Sequence, residues 1–146
     1  MTENVSQRTR EIFESGFYCA ESVLLAIAES KGIRSDLLPK VATGFCGGVS
    51  RTCGMCGAVS GGIMAIGLAT GRTTATDSVE TTYAKSRKFM DAFVARFGST
   101  NCRDLTGVDL GTPEGQARFK ENDLLKARCI GFAEEAAEMA VAVIEE

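Results

Sequence analysis

The chain has 146 residues, with 16 Lys plus Arg against 19 Asp plus Glu, six cysteines and no histidine. The missing histidine excludes Ser-His-Asp and Cys-His catalysis, Cys2His2 zinc sites and a protein-supplied His ligand for haem. The net charge of -3, with both signs interspersed, argues against nucleic acid as a partner.

A chain of this length favours one domain, residues 1–146, that buries about 70% of its unfolded surface and needs no disulfide to fold. The first residues, Met1-Thr2-Glu3-Asn4-Val5-Ser6-Gln7-Arg8, have no basic stretch followed by an apolar one. No secretory signal is expected, and the expected location is cytoplasmic. Six cysteines in a reducing compartment point to metal binding or transient redox use.

Residues 5–30 read as one amphipathic helix, because Ile12, Phe13, Gly16, Cys19, Ala20, Val23, Leu24 and Ile27 recur at three- and four-residue steps. Cys19 lies on that apolar stripe, and Gly32 is the stop signal. Asp36-Leu37-Leu38-Pro39 reads as the entry to a short helix ending near Gly44. Residues 44–57 carry Cys46, Cys53 and Cys56 among five glycines and show no period, so a compact loop is expected.

A helix follows over 57–68, with Gly57, Ala58, Gly61, Ala65 and Ala69 on a four-step ridge of small residues that admits a close neighbour. Thr52 to Gly71 is a run of 20 residues without charge, bracketed by Arg51 and Arg72. That is the length of a membrane span. Its many glycines and few large aliphatics instead describe a helix buried on all sides, so no membrane span is expected.

Asp77 and Glu80 resemble a capping pair opening the next helix, whose stripe of Val79, Tyr83, Phe89, Met90, Phe93 and Phe97 stops at Gly98. Residues 99–107 are turn-rich, with one helical turn. Thr112-Pro113-Glu114 is a second helix start. The last helix spans 124–144, with Cys129, Phe132, Ala133, Ala136, Ala140 and Val143 on one face. No strand alternation appears. The expected fold is all-α, a single-domain bundle of about five helices around a Gly/Cys-rich central loop.

Cys53-Gly54-Met55-Cys56 is a C-x-x-C just before a helix. The helix start favours a thiolate at Cys56. A thioredoxin motif would require a βαβ setting, which is missing, and Cys46-x6-Cys53-x2-Cys56 fits no ferredoxin spacing. Cys19, Cys102 and Cys129 come from three other segments. Each reads either as an inert buried residue or as part of one cluster. Glu21 and Asp104 stand two residues from a cysteine and read first as solvated carboxylates. Arg103 reads as a surface arginine, with stabilisation of a neighbouring thiolate as the alternative.

Cys56-Gly57-Ala58-Val59-Ser60-Gly61, with Cys19 upstream in Phe17-Tyr18-Cys19-Ala20-Glu21-Ser22-Val23 and Cys102 and Cys129 downstream, resembles the C-GCAxxG-C-C family of redox-active cysteine proteins. The resemblance covers roughly 10–135. It implies redox use of these four cysteines and a helper role beside transporter systems. Cys46 and Cys53 are additions to the family quartet.

Three functions follow. The first is a thiol redox protein in which Cys56 attacks and Cys53, Cys102 or Cys19 resolves, with Cys129 completing the set and an unnamed redox partner or substrate. The second is an all-cysteine centre for zinc or an iron–sulfur cluster on Cys19, Cys56, Cys102 and Cys129. The third is a non-catalytic helical partner or oxidation sensor, with helix 57–71 packing across a homodimer.

Overall fold

The computed structural model describes residues 4–146. Five long helices carry the core: α1 (Val5–Glu14), α2 (Cys19–Ser30), α5 (Gly57–Thr70), α6 (Glu80–Phe97) and α9 (Ile130–Ile144). Shorter segments connect them: α3 (Leu37–Thr43), α4 (Cys46–Arg51), α7 (Cys102–Thr106), α8 (Pro113–Glu121) and a π-helical turn, Leu125–Cys129. The all-α class holds, and the expected count of about five describes the long helices only. The short ones hide in the sequence because a single turn carries no period to detect.

The helix expected over 5–30 is two helices. Asn4 caps α1 by accepting the Gln7 N–H at 3.1 Å. The chain leaves α1 at Ser15, and Gly16 takes φ +120°, a conformation that suits glycine alone. Helix α2 restarts at Cys19, where the Glu21 carboxylate accepts the Tyr18 N–H at 3.0 Å. The apolar stripe continues across the break because both helices pack on α9. Periodicity therefore reported a shared core face and not a continuous helix.

Helix α2 lies against α5, α1 and α9, and α5 lies against α9 and α6. Val23, Leu24 and Ile27 meet Val59 and Ile66 in a core closed by Phe89 and Phe93 of α6. Ala133, Ala136, Ala137 and Ala140 give α9 a fully buried face of small side chains, which lets four helices approach it. The uncharged run 52–71 supplies α5, only 14 residues long. Among the described residues no helix is long and apolar enough to cross a membrane.

Two helix ends form as expected and one does not. Gly98 closes α6 in the left-handed region, donating to Val94 O at 2.7 Å. Thr112 caps α8 by accepting the Gly115 N–H at 3.0 Å, with Pro113 at the first helical position. Asp77 and Glu80 form no capping pair. Asp77 instead accepts the N–H groups of Thr73 and Thr74 within its own turn, and Ser78 Oγ accepts the Glu80 N–H.

The expected loop 44–57 contains an element of opposite hand. Gly47, Gly48, Val49, Ser50 and Arg51 hold φ of 69°, 69°, 59°, 57° and 65°. This is one turn of left-handed helix. Each non-glycine residue there costs about 1–2 kcal/mol. Local hydrogen bonds hold the turn: Ser50 Oγ donates to Gly44 O at 2.8 Å, and Gly54 N–H donates to Gly48 O at 2.8 Å.

Candidate functional site

All six cysteines are free thiols. The four that the family motif singled out each stand at a helix boundary. Cys19 opens α2, Cys56 is the N-cap of α5, Cys102 opens α7, and Cys129 ends the π turn that leads into α9. Single π turns inside helical runs recur at functional sites.

Glycines decide how close these boundaries come. A Cβ on Gly57 would sit 3.0 Å from Cys19 Cβ and from the Ala20 amide nitrogen. A Cβ on Gly61 would sit 2.6 Å from Ala20 O. The two glycines of the Cys-Gly-Ala-x-x-Gly motif therefore press α5 onto the first turn of α2, and that contact places Cys56 near Cys19. The small-residue ridge is used inside the chain in this way. Gly48 does the same for Cys102, since a Cβ there would lie 2.5 Å from Cys102 Cβ.

Backbone pairing completes the arrangement. Cys56 N–H donates to Thr100 O at 2.7 Å, Cys102 N–H donates to Gly54 O at 2.9 Å, and Met55 bridges Asn101. The Asn101 side chain donates to Cys53 O at 2.6 Å while accepting the N–H groups of Arg103 and Asp104. The loop 53–56 is thus laid antiparallel against the start of α7.

Within the cluster Cys19 and Cys129 are in direct contact, with the Cys19 thiol donating to the Cys129 sulfur. That hydrogen bond is the largest influence on both. It pulls Cys129 below the ordinary thiol value, helped by the nearby Arg128 guanidinium and opposed by burial. It pushes Cys19 well above that value, reinforced by burial. Of the two, Cys129 is the more readily ionised and Cys19 the one that keeps its proton longer.

The helix start does not lower the Cys56 thiol. That thiol is pushed up to about 12, chiefly by burial. The N–H groups of Ala58 and Val59 oppose this without prevailing, because removing the charge from water outweighs two backbone dipoles. Cys102 is pushed up to about 11, again mainly by burial, with the Cys129 charge adding to it. Cys129 is the hub, since Cys56 and Cys102 both feel its charge.

Cys46 and Cys53 flank this quartet on separate carboxylates. Cys46 Sγ lies 3.5 Å from Glu21 Oε1, and Thr43 Oγ1 donates to Glu21 Oε2 at 2.8 Å. Burial raises the Cys46 thiol. Cys53 Sγ donates to Asp109 Oδ1 at 3.1 Å, and that bond raises Cys53 and lowers Asp109.

Three side chains escaped the sequence. Glu21 is buried, not solvated, because α3 closes over it through Thr43. Asp109 meets Cys53 from 56 positions away, a separation that leaves no local signal. Arg128 serves Cys129, whereas Arg103 acts on Cys53 and Asp109. Adjacency to a cysteine was the available signal for Arg128. Asp104 accepts from Ser99 Oγ at the surface, as expected.

Among the described residues no three Cys, Asp or Glu side chains converge at metal-binding geometry, which does not match the tetrahedral four-sulfur shell that zinc or a cluster requires.

Comparison with known proteins agrees with the motif. The family described as Putative redox-active protein (C-GCAxxG-C-C) matches residues 17–143. An uncharacterized protein of Archaeoglobus fulgidus is 32% identical over 129 residues, covering 82% of this chain and 85% of its own. No solved structure matches. With its family match running from just before Cys19 to beyond Cys129, the chain belongs to the C-GCAxxG-C-C family of redox-active proteins.

Proposed function

We propose that this protein is a cytoplasmic thiol–disulfide redox protein in which Cys129 attacks and Cys19 resolves. The observation that carries the reading is the Cys19–Cys129 hydrogen bond, which raises Cys19 and lowers Cys129. Disulfide exchange needs two neighbouring sulfurs, one of which ionises to attack, and in this pair Cys129 is the more readily ionised.

The exchange runs in two balanced steps. The Cys129 thiolate attacks one sulfur of a substrate disulfide. The substrate S–S bond breaks, a mixed disulfide forms at Cys129, and one substrate thiolate leaves. Cys19 then attacks the Cys129 sulfur, giving its proton to the departing group. The products are a Cys19–Cys129 disulfide, one substrate thiol and one substrate thiolate that takes its proton from water, so two electrons pass from the pair to the substrate. The second step has a built-in trigger. Contact with the Cys129 thiolate is the main cause of the high Cys19 value. Once Cys129 is in a mixed disulfide its sulfur carries no charge, and Cys19 ionises more readily. Burial raises Cys56 and Cys102, so both ionise less readily than Cys129.

The test is to oxidise the reduced protein with excess glutathione disulfide, quench in acid, block free thiols and map the cross-linked peptides. A Cys19–Cys129 cross-link at equilibrium is expected. The reading fails if these two cysteines stay reduced at all oxidant ratios. The all-cysteine metal centre has less support, because its four sulfurs do not share one point.

A further inference from the structure

The redox pair is closed to solvent. Cys19, Cys56, Cys102 and Cys129 are exposed by only 8%, 5%, 8% and 7%. A thiolate reacts only with a disulfide that reaches it, so a buried pair needs a way in. Cys53 lies at the rim of the same cluster and is only partly buried. Its backbone is fixed in the left-handed region at φ 59°, with Asn101 Nδ2 on its carbonyl at 2.6 Å. The next residue, Gly54, holds the Cys102 amide at 2.9 Å. The Cys102–Gly54 hydrogen bond and the Met55–Asn101 bridge lay the strand that follows Cys53 against the start of α7, so the partly buried Cys53 borders the buried Cys102. Cys102 in turn is influenced by both Cys53 and Cys129.

We propose that Cys53 is the entry thiol of this centre, the residue that first meets a low-molecular-weight disulfide and hands the bond inward through Cys102. The proposal rests on the Cys19–Cys129 reading and changes one step of it: for a small disulfide, the bond that Cys129 attacks is the Cys53–Cys102 disulfide and not the substrate itself. Each transfer is an exchange that conserves electrons. Cys53 loses its proton to water and attacks the substrate disulfide, expelling one substrate thiolate. Cys102 attacks the Cys53 sulfur, its proton going to the second departing thiolate, and a Cys53–Cys102 disulfide forms. The Cys129 thiolate attacks Cys102 and releases Cys53 as a thiolate that takes back a proton from water, and Cys19 then attacks Cys129, its proton going to the departing Cys102 sulfur. The sum is one substrate disulfide reduced to a thiol and a thiolate and one Cys19–Cys129 disulfide formed.

Asp109 sets the rate of entry. The charged groups facing Cys53 are the Asp109 carboxylate at 3.1 Å, the Arg103 guanidinium and the Cys102 thiol. The carboxylate holds the proton on Cys53 and the guanidinium opposes it. Asp109 is therefore a positioning residue that restrains the entry thiol.

The experiment uses glutathione disulfide as the probe on the reduced full chain, with timed alkylation and peptide mapping. In Cys102→Ser the glutathione adduct accumulates on Cys53, because the next thiol is absent. In Cys53→Ser, and in Cys53→Asn, which suits a left-handed backbone, formation of the Cys19–Cys129 disulfide slows by about tenfold or more while the equilibrium yield is unchanged. Asp109→Asn speeds adduct formation and shifts its pH profile to lower pH. A Cys19–Cys129 disulfide forming at the wild-type rate in both Cys53 variants overturns the entry role alone. An adduct that maps to Cys46 in Cys102→Ser overturns it as well. Absence of the Cys19–Cys129 disulfide in wild type at equilibrium overturns the underlying pair instead.

Discussion

Gly61→Ala tests how the motif works. Alanine is the better helix former by about 1 kcal/mol, so propensity alone predicts a gain in stability. The tertiary structure predicts the reverse. The new Cβ would stand 2.6 Å from Ala20 O and 3.0 Å from Ala20 Cα. Both are backbone atoms of α2, so no side-chain rotation relieves the clash and the whole helix must retreat. Overpacking of this kind costs about 1–3 kcal/mol, and the rigid obstacle places this case near the upper end. The net expectation is a loss of about 2 kcal/mol. Gly67→Ala is the control in the same helix, because a Cβ there meets nothing within 4 Å. It should gain up to about 1 kcal/mol. Equilibrium urea unfolding of both variants under reductant reads the difference, about 3 kcal/mol between identical substitutions six residues apart. Retreat of α2 also draws Cys19 away from Cys129, so Gly61→Ala should form their disulfide more slowly. Equal or greater stability for Gly61→Ala relative to Gly67→Ala would refute the close-contact role of the motif glycine.

Cys19→Ala removes the donor that holds Cys129 as a thiolate, and Arg128→Gln removes its cationic support. Both should raise the Cys129 value, seen as a shift to higher pH in the rate of iodoacetamide labelling at that residue; unshifted profiles would deny the coupling. Cys56 and Cys102 ionise near about 12 and about 11 in the folded chain against 9.0 ordinarily, so the unfolded chain releases protons first as pH rises. Their contribution to stability is present in full below pH 9 and is lost through the window up to about 11–12; Cys56→Ala should flatten that decline in urea midpoints measured under argon. Val49→Gly relieves a β-branched residue at φ 59° and should stabilise by about 1 kcal/mol in thermal or urea unfolding, unless packing of its side chain on Gly54 outweighs the strain. Glu21→Ala leaves the Tyr18 N–H without its acceptor, while Thr43 Oγ1 keeps Pro39 O, and should cost about 1–3 kcal/mol, with Glu21→Gln costing less because one amide oxygen remains.

The sequence by itself determined the helical class, most helix starts and stops, and the cysteines worth following. Those are local properties: a period, a Thr-Pro-Glu start, a glycine stop, a motif of six residues. Local signals failed where the cause lay elsewhere in the chain. The stripe over 5–30 crossed Gly16 unbroken because two helices share one partner, α9. The left-handed turn at 47–51 had no period to betray it. The chemistry of the thiols was the least legible part. Cys56 has the favourable helix start and is still held protonated, because burial is set by how α2 and α5 pack. Cys129 ends a π turn that runs straight into α9 and is nonetheless the lowered thiol, because folding brings Cys19 to it across 110 positions with Arg128 beside it. Which thiols exist is written in the chain; which one carries the charge is decided by desolvation and contact, and both of those arise only in the folded molecule.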